Sequence, residues 1–424
     1  MLQRFPYIML GALLFINIIG YVDRAMLLGF SPQITGDLQL SNTQFGLLTG
    51  AVWVVSYGVM ALVCGSMADR YSRTRLISLG MFIWSGCTAA SGLAETFGHM
   101  AVARMLVASG EAALIPGATS LIADLFDDKR RSTANGLFFT GIPIGIGIAY
   151  LLSGTLGAAI GWRNSFILLG VLGAVVSAAL WFIEDDLPRR GDGTQSDADT
   201  PAKKTSAKRQ AQIVLRTFAE RPVLRFTLIA FVCVHFAVAG GYFVQLWLVR
   251  EVGLDQASIA RELGLLQIVF GCLGAAGGGL ASDWITRKTR FSPAALPILM
   301  LAICLPMMIA SRFASAGELL LYMGLSASFI LPFSIYGSSI GLFQSAAPVM
   351  VRATVMGVAM MSLNIVALSL GTLLVGWLAD VWGHAGSTTP LRWAMLAFDG
   401  LTALALIGYV GAARCLRRPG NAPR

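Results

Sequence analysis

Apolar runs of about 20 residues, the length an α-helix needs to cross the hydrocarbon core of a bilayer, recur along this chain with only short polar interruptions. The pattern predicts twelve crossing helices in two sets of six. The first set covers 7–33, 42–68, 75–96, 99–124, 132–160 and 164–183, and the second covers 223–249, 258–284, 294–312, 317–344, 353–380 and 392–414. The expected fold class is therefore an all-α membrane protein: a six-helix bundle over 1–184, a linker over 185–221 and a second six-helix bundle over 222–424. The linker is rich in Asp, Lys, Arg, Ser, Thr and Gly and has almost no apolar periodicity before Ile213-Val214-Leu215. Its last part, Ile213 to Phe218, is bounded by Arg209, Arg216 and Arg221. It reads either as a short basic helix on an anionic leaflet or as disordered chain.

Composition agrees with the pattern. Of 424 residues, 56% are hydrophobic and only 12% charged, a balance that excludes an ordinary soluble domain. The net charge of +9 sits in short inter-helix loops and not on a soluble face, so it argues for sidedness and against a nucleic-acid partner. With the N-terminus inside, inner loops and termini carry 24 of the 31 Lys and Arg. Outer loops carry Arg163, Arg250, Arg261, Arg312 and Arg392, and Arg24 and Arg104 stay in the membrane. That asymmetry predicts an inner-membrane protein with both termini cytoplasmic. The first apolar run is too long for a signal peptide and is interrupted by charge, so it is expected to remain as the first helix.

The six cysteines lie in or at the ends of apolar runs without metal-ligand spacing. No Gly-rich phosphate loop or nucleophile motif is present. The expectation is a protein that is not an enzyme, needs no cofactor or metal, carries no ATP-driven motor and acts as a monomer whose surroundings are the lipid bilayer.

Candidate chemistry centres on Tyr21-Val22-Asp23-Arg24, two opposite charges inside the first apolar run. A lone charge at the bilayer centre costs about 2.5–3.5 kcal/mol on insertion scales, so charges kept there point to function. Asp23 falls about 24 Å along its helix at 1.5 Å per residue. On the fourth helix, Arg104 and Glu111 lie seven residues apart, two turns on nearly one face. One acid and one base on each helix permit full pairing. In the functional reading Glu111, Asp23 or both take up a proton as access changes. Arg24 and Arg104 then hold an anionic headgroup, which their planar forks can bind in a bidentate manner. The alternative is a static ion-pair network.

Tyr21, Tyr57, Tyr336 and Asn364 are polar positions at cavity depth and are candidate substrate contacts; Asn17, Gln245 and Ser338 are weaker ones of the same kind. His235 reads either as a satisfied core histidine or as a proton relay. Asp399 is the one acid well inside a second-half run, with no obvious basic partner. Gly141, Pro143, Gly145 and Gly147 in the fifth run suit either a hinge or a close packing seam.

The loop after the second run, Gly65-Ser-Met-Ala-Asp69-Arg70-Tyr-Ser-Arg73-Thr-Arg75, has an echo after the eighth in Gly279-Leu-Ala-Ser-Asp283-Trp-Ile-Thr-Arg287-Lys288. Parallel six-helix repeats of this kind build secondary transporters. Asp69, with Arg70, Arg73 and Arg75, can form a conformational latch against Arg130 or Arg131, and Asp283 with Arg287 can do the same in the second half. The first loop resembles the signature loop of the major facilitator superfamily, and Arg104 with Gly110 resembles that family's fourth-helix motif. Tyr21-Val-Asp23-Arg24, Gly110-Glu111-Ala112, Ile122-Ala-Asp124-Leu-Phe126 and Gly141-Ile-Pro143-Ile-Gly145-Ile-Gly147 resemble its spinster group.

The resemblance implies the major facilitator fold, alternating access and lysophospholipid or sphingolipid-like substrates. Independently, the first half holds nearly all the buried charge, and the second mostly Phe, Leu, Met and Gly. That asymmetry suits a small amphipathic substrate moved with protons. Two other readings stay open: a proton symporter of small organic anions or sugar acids, and a receptor or assembly protein that moves no solute.

Overall fold

A computed structural model of the protein describes residues 5–68, 71–183, 207–288, 292–348 and 351–417. Every regular element among them is a helix. Ten helices or bent helical runs are long and apolar enough to cross a membrane: Pro6–Gly29, Asn42–Ala68, Phe97–Leu125, Thr133–Gly154, Leu156–Trp181, Pro222–Arg250, Gln256–Ser282, Leu319–Ala346, Thr354–His384 and Pro390–Leu416. The third and ninth expected crossings are Arg73–Gly92, which two arginines, three serines and two threonines make less apolar, and the shorter Ala295–Ser311. With those two the order is that of twelve. The chain divides into two compact units, Met1–Thr200 with Asp255–Ile268, and Pro201–Leu254 with Val269–Arg424.

In the first unit a core of Leu13, Ile16, Ile77, Met81, Trp84, Val107, Leu121 and Phe138 joins helices one, three, four and five. Small residues let backbones touch. A Cβ built on Gly80 would lie 2.6 Å from the carbonyl oxygen of Gly110, so the third and fourth helices meet main chain to main chain. In the fifth helix the glycines serve two seams. Gly141 and Gly145 pack on Asn17, Ile18 and Tyr21 of the first helix, while Gly147 packs on Gly264 and Ile268 at the start of the eighth.

That helix is also interrupted. It breaks at Thr140, where Pro143 offers no N–H to the Phe139 carbonyl. Gly145→Val would drive a side chain into Tyr21 Cβ at 2.6 Å and the Ile18 oxygen at 2.7 Å. Such overpacking is expected to cost about 1–3 kcal/mol, read as a lower melting temperature in detergent. An unchanged melting temperature would show that the seam relaxes freely.

Three local features depart from the apolar pattern. The fifth helix ends at Gly154 and not near 160. The sixth begins at Leu156 and kinks at Gly161, whose φ of +76° favours glycine. The apolar run is continuous through the break, so periodicity could not show it. The fourth helix loosens at Ala112–Ala113, one residue after Glu111, because Pro116 cannot donate to the Ala112 carbonyl. The eleventh widens into a π-helix over Leu363–Leu370, a form that concentrates at functional sites.

In the second unit, helices seven and twelve run antiparallel: Phe226 meets Gly411, Ala230 meets Gly408 and Phe236 meets Phe398. Glu251 accepts the backbone N–H groups of Leu391 (2.6 Å) and Arg392 (3.0 Å), closing the start of the last helix. Burial pushes its carboxyl above the usual range. Asp399 does have a basic partner. Arg312, expected in an outer loop, is buried at the end of the ninth helix, with its Nε 2.9 Å from Asp399 and its guanidinium 5.1 Å from the Trp247 ring centroid. An arginine at the end of an apolar run reads as a loop residue until the fold brings the twelfth helix against it.

The linker's last part is helical over Ala207–Glu220. All of 185–206 lies outside the described residues.

Candidate functional site

The site belongs to the first unit, on helices one to four. Successive residues of a helix point about 100° apart, so Asp23 and Arg24 serve different neighbours. Asp23 faces the third and fourth helices. One of its carboxylate oxygens accepts Arg104 Nη1 at 3.0 Å, and the other accepts the hydroxyl of Thr88. Both side chains of the ion pair are 2% exposed. Arg24 turns toward the second helix, where its guanidinium carbon lies 3.5 Å from the centre of the Trp53 ring. Trp53 in turn stacks on Tyr57 with centroids 4.4 Å apart, giving a cation, indole and phenol in sequence.

Glu111 is treated differently from Asp23. Oε2 accepts the indole N–H of Trp53 at 2.9 Å, while Oε1 is buried and has no hydrogen-bond partner among the described residues. The charges of Asp23, Arg104 and Arg24 all act on it. Beside it lies a cavity of about 40 Å³, lined by Asn17, Gly20, Tyr21, Arg24, Trp53, Tyr57, Glu111, Leu114 and Ile115. That is room for about one water molecule. Asn17 is held by the Phe138 carbonyl at 2.8 Å, which fixes the far wall.

The fold thus gathers Asp23, Arg24, Arg104, Glu111, Tyr21 and Tyr57 in one place. The expected pairing of each acid with an arginine holds for Asp23 and Arg104. The direct partner of Glu111 is Trp53, which sequence reasoning missed. Its signal was the pair Trp53 and Tyr57, two polar-tipped aromatics four residues apart on one face of a crossing helix. Thr88 was missed as well, since a lone threonine in an apolar run gives no signal.

At the other end of the third helix, buried Arg73 forms an ion pair with Asp124 and a 3.1 Å hydrogen bond to Ser120, both near the end of the fourth helix. Arg75 is exposed. Exposed Arg130 reaches the Tyr7 hydroxyl at 3.3 Å, and Arg131 is half-buried near the start of the fifth helix. Asp69 and Arg70 lie outside the described residues, as do the side chains of Asp283 and Arg287.

In the second unit, Tyr336 and Asn364 share one neighbour. The Tyr336 hydroxyl contacts the Met360 sulfur at 3.3 Å and Asn364 Nδ2 donates to the Met360 carbonyl at 2.9 Å, at the start of the π-helix. Tyr336 packs near Phe231 and His235. His235 is held through Nδ1 at 2.7 Å from the Phe231 carbonyl.

Comparison with known proteins follows the same lines. A sequence profile of the Major Facilitator Superfamily matches residues 13–369. A hexuronate transporter of Bacillus subtilis (strain 168) is 28% identical over 278 residues, 64% of this chain and 63% of that one. A sphingosine-1-phosphate transporter of Danio rerio is 26% identical over 347 residues, 77% of this chain and 68% of its own. The chain spans about half to two thirds of the length of such curated relatives. The crystal structure of a bacterial homologue of the human lysosomal transporter spinster, inward-facing and unoccupied, superposes with a TM-score of 0.80 at 24% identity, covering 96% of both chains.

Proposed function

Because this chain belongs to the major facilitator superfamily and is similar to spinster proteins, we propose that it is a multi-pass membrane transporter that moves an amphipathic, anionic, lipid-like molecule by alternating access coupled to protons. The observation that carries the coupling is the unequal treatment of two buried carboxylates. Asp23 is closed off by Arg104 and Thr88. Glu111 keeps one oxygen without a hydrogen-bond partner among the described residues, beside a small cavity and at the loosened turn of its helix. A carboxylate in that position can gain and lose a proton as its water and arginine contacts change.

Asp23 then acts chiefly as the anchor of Arg104, and Glu111 as the proton carrier. Arg24, presented on Trp53 and Tyr57, and Arg104, once Asp23 releases it, are the groups for a phosphate or carboxylate. Tyr21 and Tyr57 line the cavity and contact the substrate. Tyr336 and Asn364, set among Phe231 and Met360, serve its apolar part. Arg73 with Asp124, and Arg130 and Arg131, hold helix ends in one state of the cycle, with Asp69, Arg70, Asp283 and Arg287 as further members of the latch. The break at Thr140 with Pro143 after it, and the seams of Gly141, Gly145 and Gly147, let the fifth helix flex. Bundles 1–184 and 222–424 alternate around this site, tethered by 185–221, in an inner membrane with both termini cytoplasmic. The support for that orientation is the distribution of Lys and Arg.

Substrate class rests on an asymmetry of chemistry. Asp23, Arg104 and Glu111 lie buried together in the first unit, while the buried charge of the second unit is the Arg312–Asp399 pair closed on itself, and its polar candidates stand in aromatic and thioether surroundings. A second reading, a proton symporter of sugar acids, draws on the likeness to a hexuronate transporter. The two separate in proteoliposomes loaded with a pH dye and offered lysophospholipids or sugar acids. Proton movement with the lipid alone is expected. A response to the sugar acid alone would replace the lipid reading by the second, and silence with both would overturn proton coupling to either class.

A further inference from the structure

One groove in the second unit plays no part in this cycle. It lies between the start of the seventh helix and the end of the twelfth, has a volume of about 710 Å³, and is lined by Pro222, Phe226, Leu406, Ile407, Val410 and Gly411 with Arg414 and Cys415 at one end. Phe226 seats on Gly411, where any Cβ would strike its ring at 2.7 Å, so the missing side chain shapes the groove floor. Ile407 stands 67% exposed beside it. From Leu406 to Cys415 the groove runs about 13 Å at 1.5 Å per residue. That is close to half the roughly 30 Å hydrocarbon thickness of a bilayer, the depth of a single leaflet.

The chemistry is graded along this length. Its inner part is aliphatic and aromatic. At the end where the crossing helices begin and finish, Arg414 and Arg225 are both exposed, and among the described residues neither forms an ion pair. Exposed Arg221 joins them, donating to the Ala346 carbonyl at 2.7 Å. The nearby acid in the chain, Glu220, is already taken by Arg216 at 2.6 Å. The preceding helix, Ala207–Glu220, leads directly into Pro222 and exposes Leu215 while burying Val214. This is the make-up of an element that lies along a membrane surface.

We propose that the groove binds an anionic phospholipid of the surrounding leaflet. One acyl chain lies along Phe226, Leu406, Ile407 and Val410, and the phosphate rests on Arg414 with Arg225 beside it. An arginine fork matches a phosphate in a bidentate way, and the excess of positive charge at this end selects an anionic over a zwitterionic headgroup. The occupant is a resident lipid and not the carried substrate, so the proposal stands or falls apart from the transport reading.

The test is native mass spectrometry of the full chain, released from detergent and titrated with palmitoyl-oleoyl phosphatidylglycerol, the matching phosphatidylcholine, or inorganic phosphate. One phosphatidylglycerol is expected to bind, in preference to phosphatidylcholine and undisplaced by free phosphate. Arg414→Ala should weaken it about fivefold, the equivalent of roughly one surface arginine, with Arg225→Ala adding a similar loss and Arg414→Lys retaining most of the affinity. Ile407→Trp, which fills the groove without touching a charge, should weaken both lipids. Equal binding of the two lipids, no effect of Arg414→Ala in protein that elutes as wild type, displacement by phosphate alone, or a second copy of the chain seated there without lipid would each overturn the proposal.

Discussion

Glu111→Gln is expected to reduce substrate-linked proton movement to background while the protein still inserts and elutes as a single species. Glutamine keeps the shape of the side chain and can still accept the Trp53 indole N–H that Oε2 accepts at 2.9 Å, so packing around the second and fourth helices should survive. What it removes is a group that exchanges a proton. The expected phenotype is therefore a split: counterflow of substrate, which needs no net proton transfer, persists, whereas accumulation against a gradient is lost. Asp23→Asn is the contrasting variant, because it weakens the anchor of Arg104 at 3.0 Å and should disturb substrate binding before it disturbs coupling. Normal coupled transport by Glu111→Gln in a pH-dye assay would remove Glu111 from the proton path.

Arg104→Ala should be among the most destabilising single changes in the first unit. It would leave the Asp23 carboxylate 2% exposed with only Thr88 to hold it, and removing one member of a buried pair costs about 3–5 kcal/mol. The double variant Asp23→Asn with Arg104→Gln removes both charges and should recover most of that loss. Melting in detergent measures the difference: if the single variant is no less stable than the double, the pair does not hold the helices together. Where Arg104→Ala can be purified, binding of an anionic lipid should fall more than that of a neutral analogue. An equal fall in both would assign Arg104 to architecture alone.

The relation between chain and structure differs from one part of the protein to another. Spans such as Pro6–Gly29 and Leu319–Ala346 were legible because a bilayer leaves no water to satisfy backbone groups, so length and hydropathy alone decide that a segment is a helix. Asp23, Arg24, Arg104 and Glu111 stood out for the same reason, since charge in hydrocarbon is too costly to be incidental. Breaks inside apolar runs were hidden. Thr140, Ala112 and Gly161 each interrupt a helix without changing its hydropathy, and their causes, a proline three or four residues on or a glycine at positive φ, act through backbone hydrogen bonds and not through hydrophobic pattern.

Which charge meets which partner was the tertiary structure's decision. By itself the chain determined its class, its helices, its likeness to spinster-type carriers and the four charged residues of the first half. Only the packing of helices placed Thr88 on Asp23 and Trp53 on Glu111, brought Arg312 out of its expected loop onto Asp399, and joined Arg73 to Asp124. Hydropathy is a property of each segment on its own, whereas a hydrogen bond between residues 58 or 87 positions apart exists only once two helices have been set side by side at a particular rotation.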